Sequence, residues 1–144
     1  MTSSKLINYT TREFMSENEL ELYATKQDEI FTPKVIDEFK ELLRPCEDNV
    51  TLVSPFIKKE MANTIARTLN ENVKLKVLTT LDSAAIRNGL FDPEALKILK
   101  ENFSDIEINV ESTLHAKIYI FDNQKALVTS ANLTAAGFES NIEY

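Results

Sequence analysis

Residues 49 to 80 read NVTLVSPFIKKEMANTIARTLNENVKLKVLTT, and their changing period sets the architecture. Asn49 to Phe56 contains VTLVSPF, a β-branched run that stops at a proline and fits a buried strand. Ile57, Met61, Ile65 and Leu69 then recur at four-residue spacing, which predicts an amphipathic helix from about 57 to 70. From Val73, VKLKVLTT alternates apolar and polar side chains as a half-exposed strand does. Strand, helix and strand over this length make a right-handed parallel crossover, the unit of an α/β sheet.

Towards the N-terminus, Thr32-Pro33 opens a further helix with threonine as N-cap and proline at the first helical position. Val35, Ile36, Phe39, Leu42 and Leu43 share one of its faces, and Pro45 ends it. Residues 1–31 keep no sustained period and read as an irregular arm or a peripheral strand or two. Towards the C-terminus, Asp82 or Ser83 caps a short helix with Gly89 near its end. Asp92-Pro93-Glu94 starts another, with Ala95, Leu96 and Leu99 facing inward. Asp105 to Val110 is an alternating strand, and His115 to Asp122 and Lys125 to Ser130 form a hairpin joined by Asn123-Gln124. The fold expected is α/β, a mixed sheet flanked by helices over residues 32–144. Composition still looks folded at Tyr144, as in a domain excised from a longer protein or lacking a C-terminal extension.

A chain of 144 residues with 43% hydrophobic content matches one domain able to bury a core without staples. Cys46 is the single cysteine, so an internal disulfide is impossible and a reducing, cytoplasmic setting is expected. MTSSKLINYTTREF has no signal-peptide core, and the apolar runs are too short to span a bilayer. The net charge of −7 opposes non-specific attraction to phosphate backbones and anionic membranes, leaving nucleic acid to a local cluster or a partner domain.

The chemistry concentrates in Thr113 to Asn132, TLHAKIYIFDNQKALVTSAN, which holds the only histidine. Strand pleating places His115, Lys117 and Tyr119 on one side and Ala116, Ile118, Ile120 and Asp122 on the other. An imidazole beside an ammonium is a poor core arrangement and a good phosphate site, with lysine as clamp and histidine as nucleophile or acid. Ser130 and Asn132 add hydrogen-bond donors from the neighbouring strand and turn, while Asp122, of the other parity, is expected to hold the turn. Tyr119 reads as core or dimer packing, and Lys58-Lys59 as solvated cations.

The pattern His115-x-Lys117-x4-Asp122-x6-Thr129-Ser130-x-Asn132 resembles the HKD motif of the phospholipase D-like superfamily. It departs at Thr129, where the family usually has glycine. Glu143 resembles the acidic residue that supports the histidine. The resemblance implies phosphodiester cleavage through a covalent phosphohistidine with no metal or other cofactor, a second histidine protonating the leaving oxygen. With one motif per chain, it also implies a homodimer, two copies pairing across the HKD faces. Small single-motif members resemble nucleases and restriction-type endonuclease domains, so DNA is the expected substrate and no membrane is involved. Alternatives within the resemblance are a phospholipid or small-phosphodiester hydrolase, a second motif beyond Tyr144, and a non-catalytic nucleic-acid-binding module attached to a helicase or restriction domain.

Overall fold

The computed structural model describes residues 5–8, 35–134 and 138. Their strands form one mixed sheet in the order β1-β6-β5-β2-β3-β4. These are β1 (Lys5–Asn8), β2 (Asn49–Val53), β3 (Lys74–Thr79), β4 (Ile106–Val110), β5 (Ile118–Phe121) and β6 (Lys125–Val128). The β2, β3 and β4 ladder is parallel, while β5 runs antiparallel to β2, β6 to β5, and β1 to β6. The crossover read from residues 49–80 is therefore present, with α2 (Lys59–Thr68) between β2 and β3. Between β3 and β4 lie α3 (Ser83–Arg87) and α4 (Pro93–Asn102), and α1 (Val35–Leu43) precedes β2.

Two parallel crossovers advancing the same way across the sheet place α2 and α4 on one face by the right-handed rule. The ladder registers put Val50, Leu52, Leu75, Val77, Tyr119, Phe121 and Leu127 on a common face, and all are buried. Phe39 of α1 meets the rings of Tyr119 and Phe121 edge-on at 5.5 Å and 5.8 Å, and that of Phe138 at 4.9 Å. Edge-to-face contacts of this kind add to the area buried. The opposite face is half-buried at Thr51, Val53, Ile118, Ile120 and Val128, and exposed at Lys74, Lys76, Glu107 and Asn109.

The caps follow the sequence. The Asp82 carboxylate accepts from the Ala84 amide at 2.9 Å, and that of Asp92 from the Glu94 amide at 3.1 Å. Gly89 just beyond α3 takes a φ of 71°, a left-handed conformation that glycine enters without penalty. The predicted Thr32-Pro33 helix start and the ends of the chain lie outside the described residues, and α1 is described from Val35. The stretch read as an irregular arm or a peripheral strand or two contributes β1, an edge strand paired from Lys5↔Val128 to Asn8↔Lys125.

Three expectations for the hairpin are corrected. β5 begins at Ile118, so His115 and Lys117 precede the strand. The ladder stops there because its partner β2 ends at Val53, opposite Ile118, where Ser54-Pro55 leads the chain away. β6 ends at Val128 instead of Ser130. The turn centres one residue early, with positive φ at Asp122 (51°) and Asn123 (53°) and the Gln124 amide donating to the Phe121 carbonyl at 3.0 Å. Paired positive φ angles match the twist of an antiparallel hairpin, and Asn and Asp tolerate them best.

Candidate active site

The parallel strands β2, β3 and β4 end on the same edge of the sheet from which β5 starts. Open α/β sheets bind ligands in the crevice beyond such carboxyl ends. Here a pocket of about 580 Å³ lies there. His115, Lys117 and Asn132 line it, with Thr80, Asp82, Ser83 and Ser112 as further polar groups and Pro55, Phe56, Leu81, Val110 and Leu114 as an apolar wall.

Several bonds shape the approach to His115. The Glu111 amide donates to the Thr79 carbonyl at 2.9 Å, extending the β3–β4 pairing by one bond. The Thr113 amide and hydroxyl then donate to Glu111 Oε1 at 3.2 Å and 3.0 Å. Those two bonds hold the Glu111 carboxyl below its ordinary range and fix the turn that delivers Leu114 and His115. His115 is exposed, and its carbonyl accepts from Lys117 Nζ at 3.0 Å. Strand pleating does not place this pair, since neither residue is in a strand. Tyr119, expected to share their side, is fully buried in the core.

Asn132 sits on a short segment whose neighbours are tied on both sides. The Ala131 amide donates to Thr129 Oγ1 at 3.1 Å, and the Ala131 carbonyl accepts from the Tyr119 hydroxyl at 2.7 Å. The Leu133 amide donates to Ser54 Oγ at 3.1 Å, and the Leu133 carbonyl accepts from the Lys58 amide at 2.9 Å. Ser54 is itself fully buried and donates to the Phe56 carbonyl at 2.8 Å. The Thr80 hydroxyl, and more loosely that of Thr79, close on the Pro55 carbonyl at 2.8 Å and 3.3 Å. The Asn132 side-chain oxygen is buried without a hydrogen-bond partner. A buried amide oxygen left in that state costs free energy unless a ligand or solvent supplies the bond.

Asp122 stands at the far end of β5 from His115. Its carboxylate accepts from the amides of Glu47, Asp48 and Asn49 at 3.1, 2.9 and 3.0 Å. Burial pushes its carboxyl up, but the three amides outweigh burial and hold it below the ordinary value. Ser130 is exposed and does not line the pocket, and Glu143 lies outside the described residues. Sequence reasoning assigned no site role to Ser54, Thr80, Asp82 or Ser112. The Ser-Pro pair read only as the end of a strand, and Asp82 only as a cap. Among the described residues no three His, Cys, Asp or Glu side chains gather to hold one metal ion. No described helix is long and apolar enough to cross a membrane.

Comparison with known proteins bears on this geometry. A family model described as the PLD-like domain of cardiolipin synthase matches residues 39–144, which include the whole pocket. No curated protein matches the chain. Among solved structures, NucT from Helicobacter pylori is similar with a TM-score of 0.55 at 11% identity, over 98% of this chain and 81% of that one. That likeness is one of fold. TrmBL2, an archaeal chromatin protein, reaches a TM-score of 0.45 at 16% identity over 79% of this chain and 51% of its own. A mutant of yeast tyrosyl-DNA phosphodiesterase 1 reaches 0.42 at 13% identity, over 69% of this chain and 25% of its own.

Proposed function

The chain belongs to the phospholipase D-like family, and we propose that it is a metal-independent phosphodiesterase using a phosphohistidine on His115, with DNA as its substrate. Family membership supports phosphodiester hydrolysis in general. The observation that carries the finer reading is the pocket beyond the strand ends, where an exposed imidazole, an ammonium and an amide converge. DNA rests on the resemblance of small single-motif chains to nucleases and restriction-type endonuclease domains, and a cytoplasmic setting on the lone cysteine.

In the first step a neutral His115 nitrogen attacks phosphorus. A P–N bond forms, the P–O bond to the leaving alcohol breaks, and that oxygen takes a proton from a second imidazolium. Lys117 offsets the charge that gathers on the non-bridging oxygens, and the Asn132 NH2 orients them by hydrogen bonding; a like role for Ser130 is proposed from the resemblance alone. In the second step the now neutral second histidine removes a proton from water. The water oxygen attacks phosphorus, the P–N bond breaks, and a phosphomonoester leaves with both histidines restored. The 144 residues hold one histidine, and the acid is proposed to be His115 of a second copy docked across the same face. Glu143 is proposed, from the resemblance alone, to support the histidine.

The test is cleavage of plasmid DNA and of bis(p-nitrophenyl) phosphate in excess EDTA. Wild type turns over, His115→Ala does not, and rapid denaturation of the wild type in alkaline detergent, where a P–N bond survives, traps the covalent phosphoenzyme. Activity that disappears on chelation and returns with a divalent ion would sink the metal-free mechanism. Phospholipid cleavage with DNA left intact would move the substrate to lipids.

A further inference from the structure

Three side-chain hydroxyls from three separate parts of the chain end on the backbone either side of Asn132. Thr129 Oγ1 accepts the Ala131 amide at 3.1 Å, the Tyr119 hydroxyl donates to the Ala131 carbonyl at 2.7 Å, and Ser54 Oγ accepts the Leu133 amide at 3.1 Å. Asn132 contributes a backbone bond of its own, its carbonyl accepting from the Thr134 amide at 2.7 Å. Its side-chain oxygen is the one buried side-chain nitrogen or oxygen atom among the described residues left without a partner. The contrast is informative, since folded proteins pair nearly all their buried polar groups. Here the backbone around one residue is fixed from both sides while its side-chain oxygen is left unpaired at a pocket wall.

We infer that Tyr119, Thr129 and Ser54 are positioning residues that preset the Asn132 side chain, its NH2 to donate to a phosphodiester oxygen and its buried oxygen to accept from a donor that arrives with the ligand, such as the attacking water. This deepens the phosphodiesterase reading and rests on it. None of the three needs to touch substrate: each fixes a peptide group adjacent to Asn132, so the amide is aimed before the ligand arrives and little reorganisation remains at the reaction step. The same geometry gives a reason for the threonine where the family usually has glycine. A glycine at 129 could make the turn but has no hydroxyl for the Ala131 amide. Ser54 and Tyr119 also come from the strands or strand ends flanking the turn, so the amide is referenced to the sheet instead of to a loop.

The experiment is a set of double-mutant cycles on the full chain. Tyr119→Phe, Thr129→Val and Ser54→Ala are each made alone and with Asn132→Ala. Bis(p-nitrophenyl) phosphate hydrolysis and the melting temperature are measured throughout. Alone, each hydroxyl loss is expected to lower kcat by on the order of 10-fold to 100-fold, as a small misplacement does, with KM changed less than about twofold. Thr129→Ser, which keeps the hydroxyl, restores kcat. In the Asn132→Ala background the same losses shrink to within about twofold, because the group they position is gone. If instead they persist undiminished in that background, the positioning role is overturned while the phosphodiesterase reading stands. If Asn132→Ala itself leaves turnover unchanged, the inference falls together with the role of Asn132. Should Tyr119→Phe fail to fold, the Thr129→Val and Thr129→Ser pair carries the test alone.

Discussion

Lys117 rests its ammonium on the His115 carbonyl at 3.0 Å. A bound phosphate must therefore compete with a neutral acceptor, and an anionic oxygen wins that exchange because it adds charge–charge attraction to the hydrogen bond. Lys117→Ala is expected to lower kcat/KM by on the order of 100-fold or more, since a fixed positive charge at the reacting phosphate is lost. Steady-state kinetics on the chromogenic diester checks it. Asp122 acts on stability. Its carboxyl is held below the unfolded value, so its contribution is complete above about pH 4 and fades as pH falls through the lower folded value. Asp122→Asn should melt earlier than wild type at neutral pH, and the gap should close in acid; a gap that stays constant down to about pH 2 would contradict the amide account. Cys46 is buried, its thiol donates to the Leu42 carbonyl at 3.2 Å, and burial with the nearby Asp122 charge pushes its pKa up to about 12. Iodoacetamide at pH 8 should leave the folded protein unlabelled and modify it quickly in denaturant, because the thiolate is the reacting form.

At the scale of elements, the parallel crossover was legible because VTLVSPF and VKLKVLTT carry strand periods and Ile57, Met61, Ile65 and Leu69 carry a helical one. All four of those residues are buried. The caps were legible because they are local. Asp92→Ala should cost about 1 kcal/mol in urea unfolding through loss of one capped amide, with no change in kinetics. The hairpin was legible in kind but not in its bounds. Where β5 starts depends on where β2 stops, and strand pairing is not written in the strand itself. β1 was legible only as one of two options, a peripheral strand beside an irregular arm, because KLIN has little period and its place is set by pairing with β6 across the length of the chain. The motif spacing named His115, Lys117 and Asn132, and the structure gathers these three in one pocket. It could not name Ser54, whose bond to Leu133 spans 79 residues. No spacing rule carries a contact of that kind.

For the molecule as a whole, the number of histidines makes assembly part of the proposed chemistry. Sedimentation should give a two-copy species at working concentrations, and activity per chain should fall on dilution through its dissociation constant. A strictly monomeric chain with full activity would exclude the two-histidine scheme. The sheet order has a different consequence, for biosynthesis. β5 and β6 lie between β1 and β2 although they are the last two described strands in chain order. When a ribosome has made the first 110 residues, β2 can pair with β3 but its other edge stays bare until Phe121 has emerged. That edge is the apolar NVTLV, the type of exposed strand that recruits another chain. Nascent chains truncated between Val110 and Ile118 should therefore aggregate or bind a holdase chaperone, and chains extended past Leu133 should be released. The pocket and the safe edge are completed by the same stretch, so a chain that escapes aggregation has its pocket already built.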